Sequence, residues 1–126
     1  TGLKLGAIAQ SISHDSHNII AIGVTDFELM QAINVVIKAK GGIAVSCMDE
    51  VTLLSLPVAG LMSDESLEET SRRYEEIEEK IKWLKTPMDS LQMTLSFMGL
   101  LAIPSLKLSN KGLFNSETFQ FTSLFV

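Results

Sequence analysis

The chain has 126 residues, of which 46% are hydrophobic, enough for one compact domain and too apolar for a disordered chain. Its formal net charge of −5 argues against nucleic acid as the partner, because a phosphate backbone needs clustered Lys and Arg. A single cysteine, Cys47, excludes an intrachain disulfide and fits a reducing, cytoplasmic setting.

The first ten residues carry no basic region followed by a long apolar run, so no secretory signal is expected. The most apolar stretch, 91–106, is interrupted by Thr94, Ser96, Gly99 and Pro104. A membrane-spanning helix needs about 20 mostly apolar residues, so a soluble protein is expected. The chain starts with Thr rather than Met, which suggests a piece of a longer polypeptide.

Residues 6–13 place Ile8 and Ile12 among small residues, and 18–24 form a β-branched run. Both predict interior strands. Thr25-Asp26-Phe27-Glu28 has the spacing of a capping box, in which the Thr25 hydroxyl meets the Glu28 amide and the Glu28 carboxylate reaches the Thr25 amide. Behind it Phe27, Leu29, Met30, Ile33, Val36 and Ile37 predict a broad apolar helix face. Gly41-Gly42 ends that helix, since glycine adopts left-handed backbone at no steric cost. Strands over 43–47 and 51–56 form a hairpin, and 57–62 form a loop. A helix then runs from Ser63 or Ser66 to about Lys85, with Ser66 and Glu69 as a second capping pair and Leu67, Tyr74, Ile77, Ile81 and Leu84 as its apolar stripe. Eight acidic and four basic side chains lie between Asp64 and Lys82. They read as a solvated face. Alternation of Met93, Leu95 and Phe97 with Thr94 and Ser96 favours a strand over a helix. The apolar tail 119–126 is expected to dock on something. The elements do not alternate regularly, so the expected class is α+β: a single compact domain over 1–126, with a mixed sheet and two main helices.

His14-Asp15-Ser16-His17-Asn18 holds both histidines of the chain. Imidazole, carboxylate, hydroxyl and amide groups here offer many donors and acceptors in a small volume. Such a set suits a polar planar ligand at a site shared with another domain, a turn satisfied internally, or a metal. A metal needs three or four ligands, and neither a third His nor a nearby Cys completes the set. Ser16, His14 and Asp15 do not form a nucleophilic triad, because adjacent residues do not line up in relay. Ser63-Asp64 is a second candidate: a helix start presents free amides to a polar ligand, or Ser63 simply caps the helix and Asp64 complements its dipole. Cys47 reads as a buried strand residue. Gly41-Gly42 follows a helix, the wrong order for a phosphate-binding loop.

Gly6-Ala7-Ile8-Ala9 with Ser13-His14-Asp15-Ser16-His17-Asn18-Ile19-Ile20 resembles the start of the adenine deaminase C-terminal domain. Leu56-Pro57-Val58-Ala59-Gly60-Leu61-Met62-Ser63-Asp64 resembles its central motif. Met93-Thr94-Leu95-Ser96-Phe97, Ile103-Pro104, Leu106-Lys107-Leu108 and Lys111-Gly112-Leu113 resemble a third block, and Leu124-Phe125-Val126 the ending. The resemblance is collinear and covers essentially the whole chain. It implies an enzyme of the amidohydrolase superfamily that converts adenine and water to hypoxanthine and ammonia, with a divalent metal held in a preceding barrel. The barrel's motifs are absent, so no catalytic or metal-ligating residue carries over. The implied partners are that barrel, adenine and further copies in a homo-oligomer. The substrate-pocket candidates are His14, Asp15, Ser16, His17, Asn18, Ser63 and Asp64. The alternative is a stand-alone binding or interaction module with this fold and no catalysis.

Overall fold

Small and branched side chains alternate along three of the four short strands of the main sheet, and this alternation sets the architecture. The computed structural model describes residues 1–14 and 17–125. Strand β1 (Ala7–Gln10) pairs antiparallel with β2 (Ile20–Gly23). Helix α1 (Asp26–Lys38) follows, then β3 (Gly42–Cys47) and β4 (Glu50–Ser55), giving the sheet order β2-β1-β3-β4. Successive strand residues point to opposite faces. Ala7, Ala9 and Ala44 therefore meet Ala32 and Val36 of α1 on one face. Ile8, Ile43, Val45 and Leu54 meet the second layer on the other.

That second layer contains α2 (Leu67–Trp83), whose Ile77 and Ile81 are buried, and α3 (Leu91–Met98), which buries Leu91 and Leu95. Leu84, just past α2, is fully buried in the same cluster. Burying one such side chain removes about 1.5–3 kcal/mol of apolar exposure cost, so this face dominates stability. Lys80 of α2 bonds Glu50 of β4 at 2.5 Å and lies 3.8 Å from the centre of the Trp83 ring. Arg72 bridges Glu69 and Glu76 on the outer face of α2. Its hydrogen bond holds the Glu69 carboxyl below the ordinary value.

The α+β class is the one expected. The sheet pairings, however, are antiparallel rather than mixed. Strands β2 and β3 flank β1, so both run opposite to it and no parallel pair touches. Both capping serine/threonine residues act as expected, Thr25 accepting from the Glu28 amide and Ser66 from the Glu69 amide, each at 3.2 Å. The Glu28 carboxylate, however, accepts from the Thr25 hydroxyl at 2.8 Å.

Further expectations fail, and Leu67 of the expected α2 stripe is 80% exposed. Residues 93–97 are helical, not extended: Leu91 and Leu95, one turn apart, share the buried face, and the Thr94 hydroxyl donates to the Ser90 carbonyl at 2.9 Å. Met93 and Phe97 face outward, so their alternation with Leu95 did not report a strand. On α1 the buried edge is narrower than expected. Ala32 and Val36 seat it, while Phe27, Met30 and Ile37 are each more than half exposed. A helix lying on alanines needs only small contacts.

The remaining strands, β5 (Leu106–Ser109), β6 (Gly112–Asn115) and β7 (Gln120–Thr122), make a separate antiparallel sheet. Phe114 is buried there between Phe119 and Phe121, at ring distances of 5.3 and 5.4 Å. The apolar tail thus packs partly on its own sheet. Among the described residues, no helix is long and apolar enough to cross a membrane.

Candidate functional site

At the end of the sheet where β1 runs out, Ser11 ties three segments together. Its hydroxyl donates to the Gly60 carbonyl at 2.5 Å and accepts from the Gly42 amide at 2.9 Å. Gly41 packs closely on Gly60: a Cβ on Gly41 would lie 2.4 Å from the Gly60 Cα, so no side chain fits at Gly41. The sequence 57–62 is thereby fixed beside the end of α1, as a tight turn closed by reciprocal bonds between Val58 and Met62, each 3.1 Å.

The chain after β1 bends back on itself, with the His17 amide donating to the Ser13 carbonyl at 2.7 Å. This bend brings the His14 and His17 rings to 6.1 Å, which extended backbone would not allow. His14 turns toward α3. Its amide donates to the Ser96 carbonyl at 3.1 Å, and its ring stacks on Phe97 at 4.8 Å. Gly99 lies so close that an added Cβ would come within 2.4 Å of the Ser13 hydroxyl. His17 is exposed and turns the other way. It lines a cleft of about 330 Å³ with Ser11, Ile19, Val36, Ile37, Lys40, Gly41, Ala59 and Gly60.

The backbone around this cleft is unusual. His17, Lys40 and Ala59 have φ of 48°, 63° and 56°, left-handed values that non-glycine residues rarely take. Gly41 and Gly60 add φ of 135° and 74°. Such conformations persist only where surrounding structure enforces them, and they concentrate at functional sites. Two motifs distant in sequence, 13–18 and 56–64, therefore meet on one cleft. With His17 and Lys40 at its wall, the cleft can offer donors to the edge of a planar polar molecule.

Asp15 and Ser16 lie outside the described residues. Asn18 is exposed and borders a neighbouring cleft of about 400 Å³ on the side of Gly99 and Leu108. Ser63 and Asp64 do not line the His17 cleft. The Ser63 hydroxyl accepts from the Glu65 amide at 3.1 Å, while Ser66 caps α2. Sequence reasoning missed Ser11, Lys40, Gly41 and Gly60 as parts of this site, although the glycines at 41 and 60 were the available signal. Cys47 is buried in the core, and burial chiefly pushes its thiol above the ordinary value. Among the described residues, no group of three or more His, Cys, Asp or Glu is placed to hold a metal.

A family model for the adenine deaminase C-terminal domain matches residues 1–120. The chain is 98% identical over 126 residues to an adenine deaminase of Parabacteroides distasonis, covering all of this chain and 23% of that protein. It is 52% identical over 124 residues to an adenine deaminase of Methanosarcina mazei, and 47% identical over 123 residues to one of Archaeoglobus fulgidus. In both cases 98% of this chain and 22% of the relative are covered. The chain thus spans less than a quarter of the length of these curated relatives. The family resemblance carried by the two motifs at the cleft extends to the whole domain, and the chain belongs to the adenine deaminase C-terminal domain family.

Proposed function

We propose that this domain closes the active site of a metal-dependent adenine deaminase whose barrel lies elsewhere in the polypeptide. The enzyme would convert adenine and water to hypoxanthine and ammonia in the cytoplasm. The observation that carries this reading is the meeting of the 13–18 segment and the 57–62 loop on one cleft with enforced left-handed backbone. In the intact enzyme His17, with Asp15 from the same segment, would border the pocket and hold the purine edge. Closing a site also excludes water from it. The metal belongs to the barrel in this reading, and this chain's part is positioning.

The test is ammonia release from adenine, measured for the 126-residue chain and for the full-length enzyme with zinc, iron or manganese. The expected result is turnover by the full-length enzyme only. Metal-dependent turnover by the chain alone, lost in a His14→Ala variant, would overturn the division of labour. A start codon immediately before Thr1 in the coding sequence would favour the stand-alone module instead.

Apolar side chains left uncovered support a docking role. Met93, Phe97, Met98 and Leu106 are between 40% and 54% exposed, and Phe125 is 86% exposed. Contiguous apolar patches of more than a few hundred Å² usually mark interfaces. We propose that this surface seats a second copy of the chain. The isolated chain is then expected to self-associate in sedimentation velocity as its concentration rises. A monomer throughout would remove this surface from the proposal.

A further inference from the structure

Strand β4 is an open edge of the four-stranded sheet, with β3 on one side of it and, among the described residues, no strand on the other. The register fixes which backbone groups face outward. The Ser11 amide donates to the Gly42 carbonyl at 3.0 Å, and the Leu56 amide to the Gly41 carbonyl at 3.1 Å. Backbone groups alternate in direction along an antiparallel strand. Gly42, Ala44 and Ser46 therefore face β1, while Ile43, Val45 and Cys47 face β4, where their partners are Leu54, Thr52 and Glu50. The N–H and C=O groups of Val51, Leu53 and Ser55 point away from the sheet.

Sheet edges are usually blunted by shortness, a bulge, proline or lysine. Strand β4 has six residues paired one to one with β3, without a bulge, and Pro57 comes only after it ends. Beside the edge runs a groove of about 480 Å³, with Val51, Leu53 and Ser55 on one side and Glu65, Arg73 and Glu76 on the other. Arg73 is bonded to Glu69 at 3.1 Å and Glu76 at 3.5 Å, and Glu65 forms no ion pair among the described residues. Outward donors and acceptors at every second residue match an extended polypeptide, the geometry of strand addition. A second copy set antiparallel on this edge would lay the acidic α2 face beside its own repeat, and like charges disfavour that pairing. The chain spans less than a quarter of the length of its curated relatives. A tethered segment has an effective concentration of about millimolar, so one from the same polypeptide reaches the edge ahead of a free partner.

We propose that an extended segment of the same polypeptide, from outside these 126 residues, adds a fifth strand to the sheet at β4, with a Lys or Arg beside Glu65. The strand is separate from the His17 cleft and does not depend on adenine chemistry. Hydrogen exchange, read residue by residue by mass spectrometry, tests it on two proteins. One is the 126-residue chain, whose two cores are built from its own residues, and the other is the full-length enzyme. In the 126-residue chain the amides of Val51, Leu53 and Ser55 should exchange fast and those of Thr52 and Leu54 slowly. In the full-length enzyme all of them should be slow. Val51→Pro removes one outward donor and no bond to β3. In the full-length enzyme it should speed exchange at Leu53 and Ser55 about fivefold, the weight of one backbone hydrogen bond. In the 126-residue chain it should leave Thr52 and Leu54 slow. Equal exchange at Val51, Leu53 and Ser55 in the two proteins would overturn the proposal. So would protection that Val51→Pro leaves intact. Whether or not that variant folds, so would a crystal structure of the full-length enzyme with a helix, a loop, a second copy or solvent along the β4 edge.

Discussion

Replacing Asp15 by Asn, or His17 by Ala, in the intact enzyme is expected to lower adenine turnover by about 100-fold, the usual cost of a misplaced substrate. Metal content and melting temperature should stay at wild-type values. The expectation follows from where His17 stands. It is exposed and lines the cleft, so its removal takes little from the core. Its φ of 48° complicates the reading, because any substitution also changes how easily the backbone holds that shape. Asn tolerates left-handed backbone better than most residues, so His17→Asn separates the imidazole from the strain. If His17→Asn and His17→Ala lose activity alike, the imidazole is what matters. Normal kinetics in both, or a loss of stability that accounts for the lost activity, would reduce the segment to a structural turn.

Gly41→Ala is expected to destabilise the domain by about 3 kcal/mol, at the upper end for a single strained backbone position. The added Cβ would meet the Gly60 Cα at 2.4 Å and the Leu56 carbonyl at 2.7 Å, and φ is 135°. Neither neighbour is a flexible side-chain end, so the 57–62 loop itself must move. Gly60→Ala is the control. Its Cβ would meet the Ser11 side chain at 3.2 Å and the Gly41 Cα only at an ordinary 4.0 Å, with φ of 74°, so about 1 kcal/mol is expected. Urea unfolding of the two variants gives the comparison. Similar losses at both positions would mean that the loop yields more easily than the Gly41–Gly60 contact implies.

Much of the fold was legible because its signals are local. Capping at Thr25 and Ser66 and the β-branched runs depend on neighbours in sequence, and each produced the expected element. Helix α3 was misread because three apolar residues happened to alternate, whereas the pair that decides the packing, Leu91 and Leu95, is spaced by one helical turn. The exposed side of α1 was misread because the width of a buried face depends on what lies opposite, here a row of alanines. At the site, the polar segment 14–18 stood out by composition. Its meeting with Ala59 and Gly60 did not, since a contact between residues so far apart is made by the sheet and by the Ser11 hydroxyl. The left-handed turn at Met48 and Asp49, with φ of 51° and 64°, carried no glycine to announce it. The hairpin was recognised only from its flanking strands.

The two faces of the sheet would leave opposite records in a library of random substitutions. Against α1, the contact is made by Ala7, Ala9, Ala32 and Ala44, and a Cβ added at Gly23 would come within 2.7 Å of the Ala7 Cβ. Almost every change there adds atoms, and overpacking costs about 1–3 kcal/mol. Against α2 and α3, the contact is made by Ile8, Val45, Leu54, Ile77 and Leu84. Most changes there remove atoms and open a cavity, at about 2–5 kcal/mol for a truncation to Ala. Survivors of a stability screen would therefore keep small residues on one face and large ones on the other. The boundary between the two sets would trace the mid-plane of the sheet, residue by residue, along each strand.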